Sequence, residues 1–192
     1  MSKPKEPLAA KLVIALIYQD RSAAQAGWEA IEKTWGTIDF FSEVRPFDYT
    51  DYYEKEMGRP LYRRWATFRE LVSQDRLAAI KWQALELEQH WVSDQKRQLN
   101  LDPGLITAER LVLATGKNYS HRIYLGKGIF GDLTLLFFKG SYQPLPWTYP
   151  DYREAQAIWM FNKIRERYLR EIADGGFQKA DWKGRRNKER NV

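Results

Sequence analysis

The apolar positions change period from one segment to the next, and each period predicts an element. Residues 11–18 form a short β-branched and aliphatic run, which predicts a buried strand. Beyond it Ala24, Trp28, Ile31 and Trp35 recur every three or four positions. That spacing predicts an amphipathic helix, with Asp20 or Ser22 as N-cap and Gly36 at the C-cap. Residues 38–47 are rich in aromatics and predict a second strand, with Pro46 near its end, where a missing N–H costs little. Residues 48–57 are dense in Asp, Tyr and Glu and close on Gly58, which predicts a helical turn or an ordered loop. Residues 61–68 alternate, with Leu61, Arg63, Trp65 and Thr67 on one face and Tyr62, Arg64, Ala66 and Phe68 on the other. This is a third strand.

Ser73 then caps a long helix whose inward positions are Leu77, Ile80, Ala84, Leu87 and Trp91. Residues 98–101 predict a fourth strand, closed by the turn Asp102-Pro103-Gly104. The order β-α-β-β-α-β is that of an α+β protein with a ferredoxin-like core: an antiparallel sheet with both helices on one face. Residues 110–115 fit either a strand or a short helix begun at Thr107. Residues 121–125 and 132–139 flank Gly126-Lys127-Gly128 and predict a hairpin. Pro144, Pro146 and Pro150 keep the next stretch extended. A last helix is expected over 151–172, with Ile158, Phe161, Ile164, Tyr168 and Ile172 inward. No internal repeat or linker interrupts residues 1–173, which predicts a single domain.

Composition narrows the chemistry. The 192 residues include 31 basic and 25 acidic side chains, two histidines and no cysteine. Disulfides, thiolate metal sites and cysteine nucleophiles are therefore excluded. The apolar run 12–18 is too short for a bilayer, where about 20 residues are needed, so a cytoplasmic protein without a membrane partner is expected. Of the net charge of +6, residues 174–192 carry half, with six basic side chains against three acidic. This segment predicts a flexible basic tail, either solubilising or in contact with an RNA backbone. Trp28, Trp35, Trp82 and Trp91, at helical spacing, are expected in the core.

Phosphate-loop, dinucleotide and His-Glu-x-x-His motifs are absent, and Asn162-Lys163-Ile164-Arg165 lacks the Asp of a guanine-binding Asn-Lys-x-Asp. Three polar clusters remain. In the first, Asp48, Asp51, Tyr52, Tyr53 and Glu56 share one short segment. Paired carboxylates there suit a divalent metal or acid/base work, and a solvated turn is the plain alternative. In the second, Asn100 and Asp102 share one strand face, ready for a metal or a ligand hydroxyl or simply beginning a turn. In the third, Ser120, Arg122 and Tyr124 alternate with His121 and Ile123. An inward Arg122 demands an acid or an anion. Asp102 and Glu56 are the candidate acids, while Arg63, Arg64 and Lys139 are candidates to complete an anion pocket.

The same segments carry a resemblance. Phe47-Asp48-Tyr49-Thr50-Asp51-Tyr52-Tyr53-Glu54-Lys55-Glu56-Met57-Gly58, Asn100-Leu101-Asp102-Pro103-Gly104, Ser120-His121-Arg122-Ile123-Tyr124-Leu125-Gly126 and Leu145-Pro146-Trp147-Thr148-Tyr149-Pro150-Asp151-Tyr152 resemble, in order and spacing, the blocks of a small uncharacterised bacterial family of unknown function. The resemblance spans roughly residues 8–172. Some members of that family bear the label "GTP-binding protein". It implies no particular activity or catalytic residue.

Polar blocks at strand ends and loops predict a site for a small anionic ligand, a nucleotide or phosphorylated metabolite. A stronger version is metal-assisted hydrolysis or transfer, with Asp51 or Glu56 on the metal and His121 as acid or base. The alternative is an RNA- or ribosome-associated protein using sheet aromatics and the basic tail.

Overall fold

β1 (Ala10–Tyr18) runs through the middle of the molecule, and all nine of its residues are buried because helices cover both faces of its sheet. The structure is a computed structural model and describes residues 3–175, so the predicted basic tail lies, from 176 onward, outside the described residues. After β1 come α1 (Arg21–Trp35), β2 (Ile38–Phe41), β3 (Arg45–Pro46), α2 (Glu54–Met57), β4 (Tyr62–Val72) and α3 (Leu77–Glu88). The small hairpin β5 (Val92–Ser93) and β6 (Lys96–Arg97) precedes β7 (Leu99–Ile106), β8 (Arg110–Thr115), β9 (Arg122–Gly126), β10 (Ile129–Phe138) and β11 (Ser141–Pro144). The short α4 (Pro150–Arg153) and the long α5 (Ala155–Ala173) follow. The main sheet has nine strands in the order β11-β10-β8-β7-β1-β4-β2, with β3 beside β4 and β9 beside β10. Its pairings are antiparallel, and the protein is α+β. No described helix is long and apolar enough to cross a membrane.

The alternation of β1 sorts the core into two layers. Leu12, Ile14, Leu16 and Tyr18 pack with Ala24, Trp28 and Ile31 of α1 and Leu77, Ile80 and Ala84 of α3. Val13 and Ala15 point the other way, into Trp65, Leu111 and Leu135 and then Met160, Phe161 and Ile164 of α5. Lys11 interrupts this second row, fully buried, and its Nζ bridges Asp39 of β2 (2.7 Å) and Glu171 of α5 (2.8 Å). A buried ammonium is tolerable only with such partners. Asp20 caps α1 by accepting from Ala23 N at 2.7 Å, and Gly36 ends the helix with φ +99°.

Several expectations need correction. The second strand stops at Phe41, because Ser42 turns its hydroxyl to accept from Trp65 N at 2.9 Å before the short β3. The third runs on to Val72, and α3 ends at Glu88, leaving Trp91 in a 3₁₀ turn. Trp82 is 44% exposed rather than core, its indole N–H donating to Lys127 O at 2.9 Å. The last helix is broken at Glu154, whose extended backbone (ψ 141°) separates α4 from α5. Ala157 and Met160 are buried within α5, and Ile158 and Ile172 are only partly covered.

The largest correction concerns Asp102-Pro103-Gly104, which does not turn. It continues β7, with Asp102 opposite Ala15, Pro103 opposite Ile14 and Gly104 opposite Val13. A full ladder to the central strand outweighs local turn chemistry. On its other side β7 pairs with β8 only through Gly104–Ile106 and Leu111–Leu113. From Pro103 back to Leu99 it has no partner there, while Ala114 and Thr115 of β8 pair with β10. Pro103, with no N–H to give, sits where that ladder ends. The sheet therefore parts between β7 and β8. At the apex the strands are so close that a Cβ on Gly104 would lie 2.6 Å from Leu113 Cδ2 and 3.0 Å from Val112 O.

Candidate functional site

A cleft of about 570 Å³ occupies this parting, on the α5 side of the sheet. The segment after β3 supplies one wall, with Phe47, Tyr49, Tyr52 and Tyr53, and Tyr149 and Tyr152 supply another. The floor is polar: Arg63, Asn100 and Asp102 from the sheet and Lys81 from α3. Thr115 at the end of β8, with Gly116 and Lys117 just past it, forms the remaining side with Asp132 of β10.

Arg63 lies opposite Ile17 of β1, and its side chain is 6% exposed. Its Nη1 pairs with Asp151 Oδ2, and its Nη2 lies 3.6 Å from Asp102 Oδ2. The guanidinium stacks on Phe47 at 4.3 Å, and its Nε has no hydrogen-bond partner. Asp102 accepts from Asn100 Nδ2 at 2.9 Å and has Lys81 Nζ 3.5 Å from its Oδ1. Lys81 donates to Leu101 O at 2.7 Å. At 24% exposure, Asp102 is the floor carboxylate that stays open to the cleft.

Arg97 closes one end. It grips Glu56 bidentately at 2.6 and 2.9 Å and also reaches Glu88 at 2.8 Å and Asn100 at 3.1 Å. The hydrogen bonds from Arg97 hold the Glu56 carboxyl below the ordinary glutamate range. Burial pushes Glu88 the other way, against the pull of Lys81 and the Leu101 N–H. Among the wall tyrosines, burial raises Tyr53 and Tyr149 and pushes Tyr152 up to about 12. Tyr49 is also pushed up to about 12, by desolvation first and then by its bond to Glu154.

At the rim Asp132 is buried and takes Arg122 Nε at 2.8 Å and His121 Nε2 at 3.2 Å. The other Arg122 nitrogens donate to Lys117 O (3.0 Å) and Tyr149 Oη (2.8 Å). The His121 ring stacks on Trp147, with centroids 4.7 Å apart.

The structure thus brings Tyr52, Tyr53, Arg63, Asn100 and Asp102 to one cleft, with Arg122 and His121 behind its rim. The partner of Arg122 is Asp132, not Asp102 or Glu56. His121 precedes β9, so strand alternation does not apply, and both side chains reach the same carboxylate. Asp51 and Glu56 go to different arginines, Asp51 to Arg59 at 3.0 Å, and so do not form a shared pair. Asp48 is exposed and outside the cleft. Arg64 points to the opposite sheet face, stacking on Phe41 at 4.1 Å and donating to Ser42 O. Tyr124 packs on Phe130 at 5.2 Å, and Lys139 lies over Phe138 at 5.2 Å in the turn between β10 and β11. Among the described residues no cluster of three or more His, Asp or Glu could hold a metal ion.

Sequence reasoning missed Lys81, Arg97, Lys117, Asp132 and Asp151. Lys81 carried a signal, since it occupies the inward position four after Leu77 on an otherwise apolar face. Asp132 likewise falls in a strand between apolar neighbours.

Neither a curated protein nor a solved structure matches the chain. Residues 8–168, including every floor and wall residue of the cleft, match the family described as a domain of unknown function (DUF4416), and the chain belongs to that family.

Proposed function

We propose that the protein binds a small anionic ligand, a nucleotide or phosphorylated metabolite, in the cleft between β7 and β8. The observation that carries this reading is the combination of tyrosine walls with a buried polar floor. The volume, about 570 Å³, lies within the range of roughly 300–1,000 Å³ usual for small-molecule sites. We read the scaffold as a ferredoxin-like βαββαβ core, one domain over residues 1–173, extended by the β9–β10 hairpin and α5. The spatial order β7-β1-β4-β2, with α1 and α3 packed on one face, supports that reading. We read its site of action as cytoplasmic.

The reading stops at binding. His121 does not line the cleft, and Asp51 and Glu56 are separately paired. The RNA alternative has less support, since the sheet aromatics Trp65, Phe68 and Tyr142 are buried beneath helices. Thermal-shift titration with nucleotides and sugar phosphates tests the proposal. A binding ligand stabilises the folded state by mass action, by about 2.7 kcal/mol at 100 Kd, and so raises the midpoint. The shift is expected to disappear in Asp102→Ala. No shift with any of these compounds overturns the reading.

A further inference from the structure

Charge matching in the cleft narrows the ligand further. Four cations line it, and three already face carboxylates: Arg63 faces Asp151 and Asp102, Lys81 faces Asp102, and Arg97 faces Glu56 and Glu88. Asp132, the remaining lining carboxylate, is matched by Arg122. Lys117 alone among the lining cations forms no ion pair with a described residue. It sits at the mouth, its Nζ 3.9 Å from the ring of Tyr52, which is itself 58% exposed. The floor offers the opposite: an open acceptor in Asp102 and the donors Asn100 and Arg63, whose Nε is buried without a partner. A negative group driven to the floor meets Asp102 with no spare cation beside it. A planar heterocycle, whose edge both donates and accepts, meets what the floor lacks.

Resting on the binding reading above, we propose that the ligand enters ring first and carries one anionic group: it is of the nucleoside monophosphate class. The ring lies between the tyrosine walls with its edge at Asp102, and the phosphate monoester stays at the mouth on Lys117. A phosphate monoester carries about −1.5 to −2 near neutral pH, which one lysine and the surrounding solvent accommodate. Further phosphates gain no partner in the cleft.

Isothermal titration of the full chain tests this with the common nucleosides, their 5′-monophosphates and 5′-triphosphates with and without Mg²⁺, a hexose monophosphate and inorganic phosphate. One monophosphate is expected to bind about tenfold tighter than its nucleoside, the effect of one charge-assisted contact. Its triphosphate should bind no tighter. Lys117→Ala, a change at an exposed residue, should erase the monophosphate's advantage and spare the nucleoside. A triphosphate at least tenfold tighter than the monophosphate, or equal losses for nucleoside and monophosphate in Lys117→Ala, overturns the ring-first proposal. Binding of hexose monophosphate or phosphate alone also overturns it, while leaving the broader binding reading standing. Binding of none of these compounds overturns both.

Discussion

Lys81 Nζ stands 3.5 Å from Asp102 Oδ1, although the two residues start on opposite sides of the sheet. Leu77, Ile80 and Ala84 of α3 pack on the Leu12–Ile14–Leu16 face, while Asp102 pairs with Ala15, which points the other way. The lysine passes through the parting between β7 and β8, and it fixes that opening by donating to Leu101 O at 2.7 Å. Lys81→Met keeps the stem and deletes the donor. It should cost about 1–3 kcal/mol, the usual consequence of leaving a buried acceptor unpaired. Urea unfolding of the two proteins measures it, and an unchanged midpoint would show that the lysine is not holding the strands apart.

Arg63 and Asp151 form the most buried ion pair of the cleft, with both side chains close to fully covered. Asp151→Ala leaves the guanidinium with Asp102 alone, 3.6 Å away. The expected loss is about 3–5 kcal/mol. The double change Arg63→Met with Asp151→Leu should recover most of it, because it removes both buried charges together. If the double variant is no more stable than Asp151→Ala, an uncompensated charge is not the cause.

What was legible in the sequence was what depends on periodicity. The run at 11–18, the Trp28–Ile31–Trp35 spacing and the glycine-linked hairpin all yielded elements near their observed bounds. Asp102-Pro103-Gly104 misled because turn chemistry is local, whereas its strand state is set by pairing with β1, about ninety positions away. The site was legible only in part for a related reason. Residue type marks Arg63, Asn100 and Asp102 as polar intrusions into strands, but partners are a property of the fold. Nothing in the sequence around Arg122 points to Asp132 rather than Asp102, since the choice is made by the β9–β10 register.

Gly104 tests whether the parting depends on close strand approach at its apex. An added Cβ would press Leu113 Cδ2 at 2.6 Å and the backbone oxygen of Val112 at 3.0 Å. Gly104→Ala is expected to cost about 1–3 kcal/mol, as other overpacked cores do. Gly116 is the internal control, since its Cβ would meet nothing within 4 Å. Gly116→Ala should stay within about 0.5 kcal/mol of the parent. Equal costs at the two positions would remove the steric argument for the apex.

The Glu56–Arg97 clamp predicts a pH window. It joins α2, on the tyrosine wall, to β6, and so holds one lip of the cleft. Arg97 holds the Glu56 carboxyl below its free value of 4.5. A carboxyl depressed in the folded state binds fewer protons there than in the unfolded chain, so its stabilisation is fully present above 4.5 and is lost as pH falls through the lower, folded value. Glu56→Gln should therefore be less stable than the parent at neutral pH by about 1 kcal/mol, a typical contribution for a partly exposed bidentate pair. The difference should shrink below pH 4.5 and vanish once Glu56 is protonated in both states. Glu88, raised by burial, is present in both proteins and shifts their acid limbs together. Denaturant midpoints of the pair across the acid range give the answer. A gap that stays constant with pH would mean that the introduced amide disturbs packing, and that the charge on Glu56 does not hold the lip.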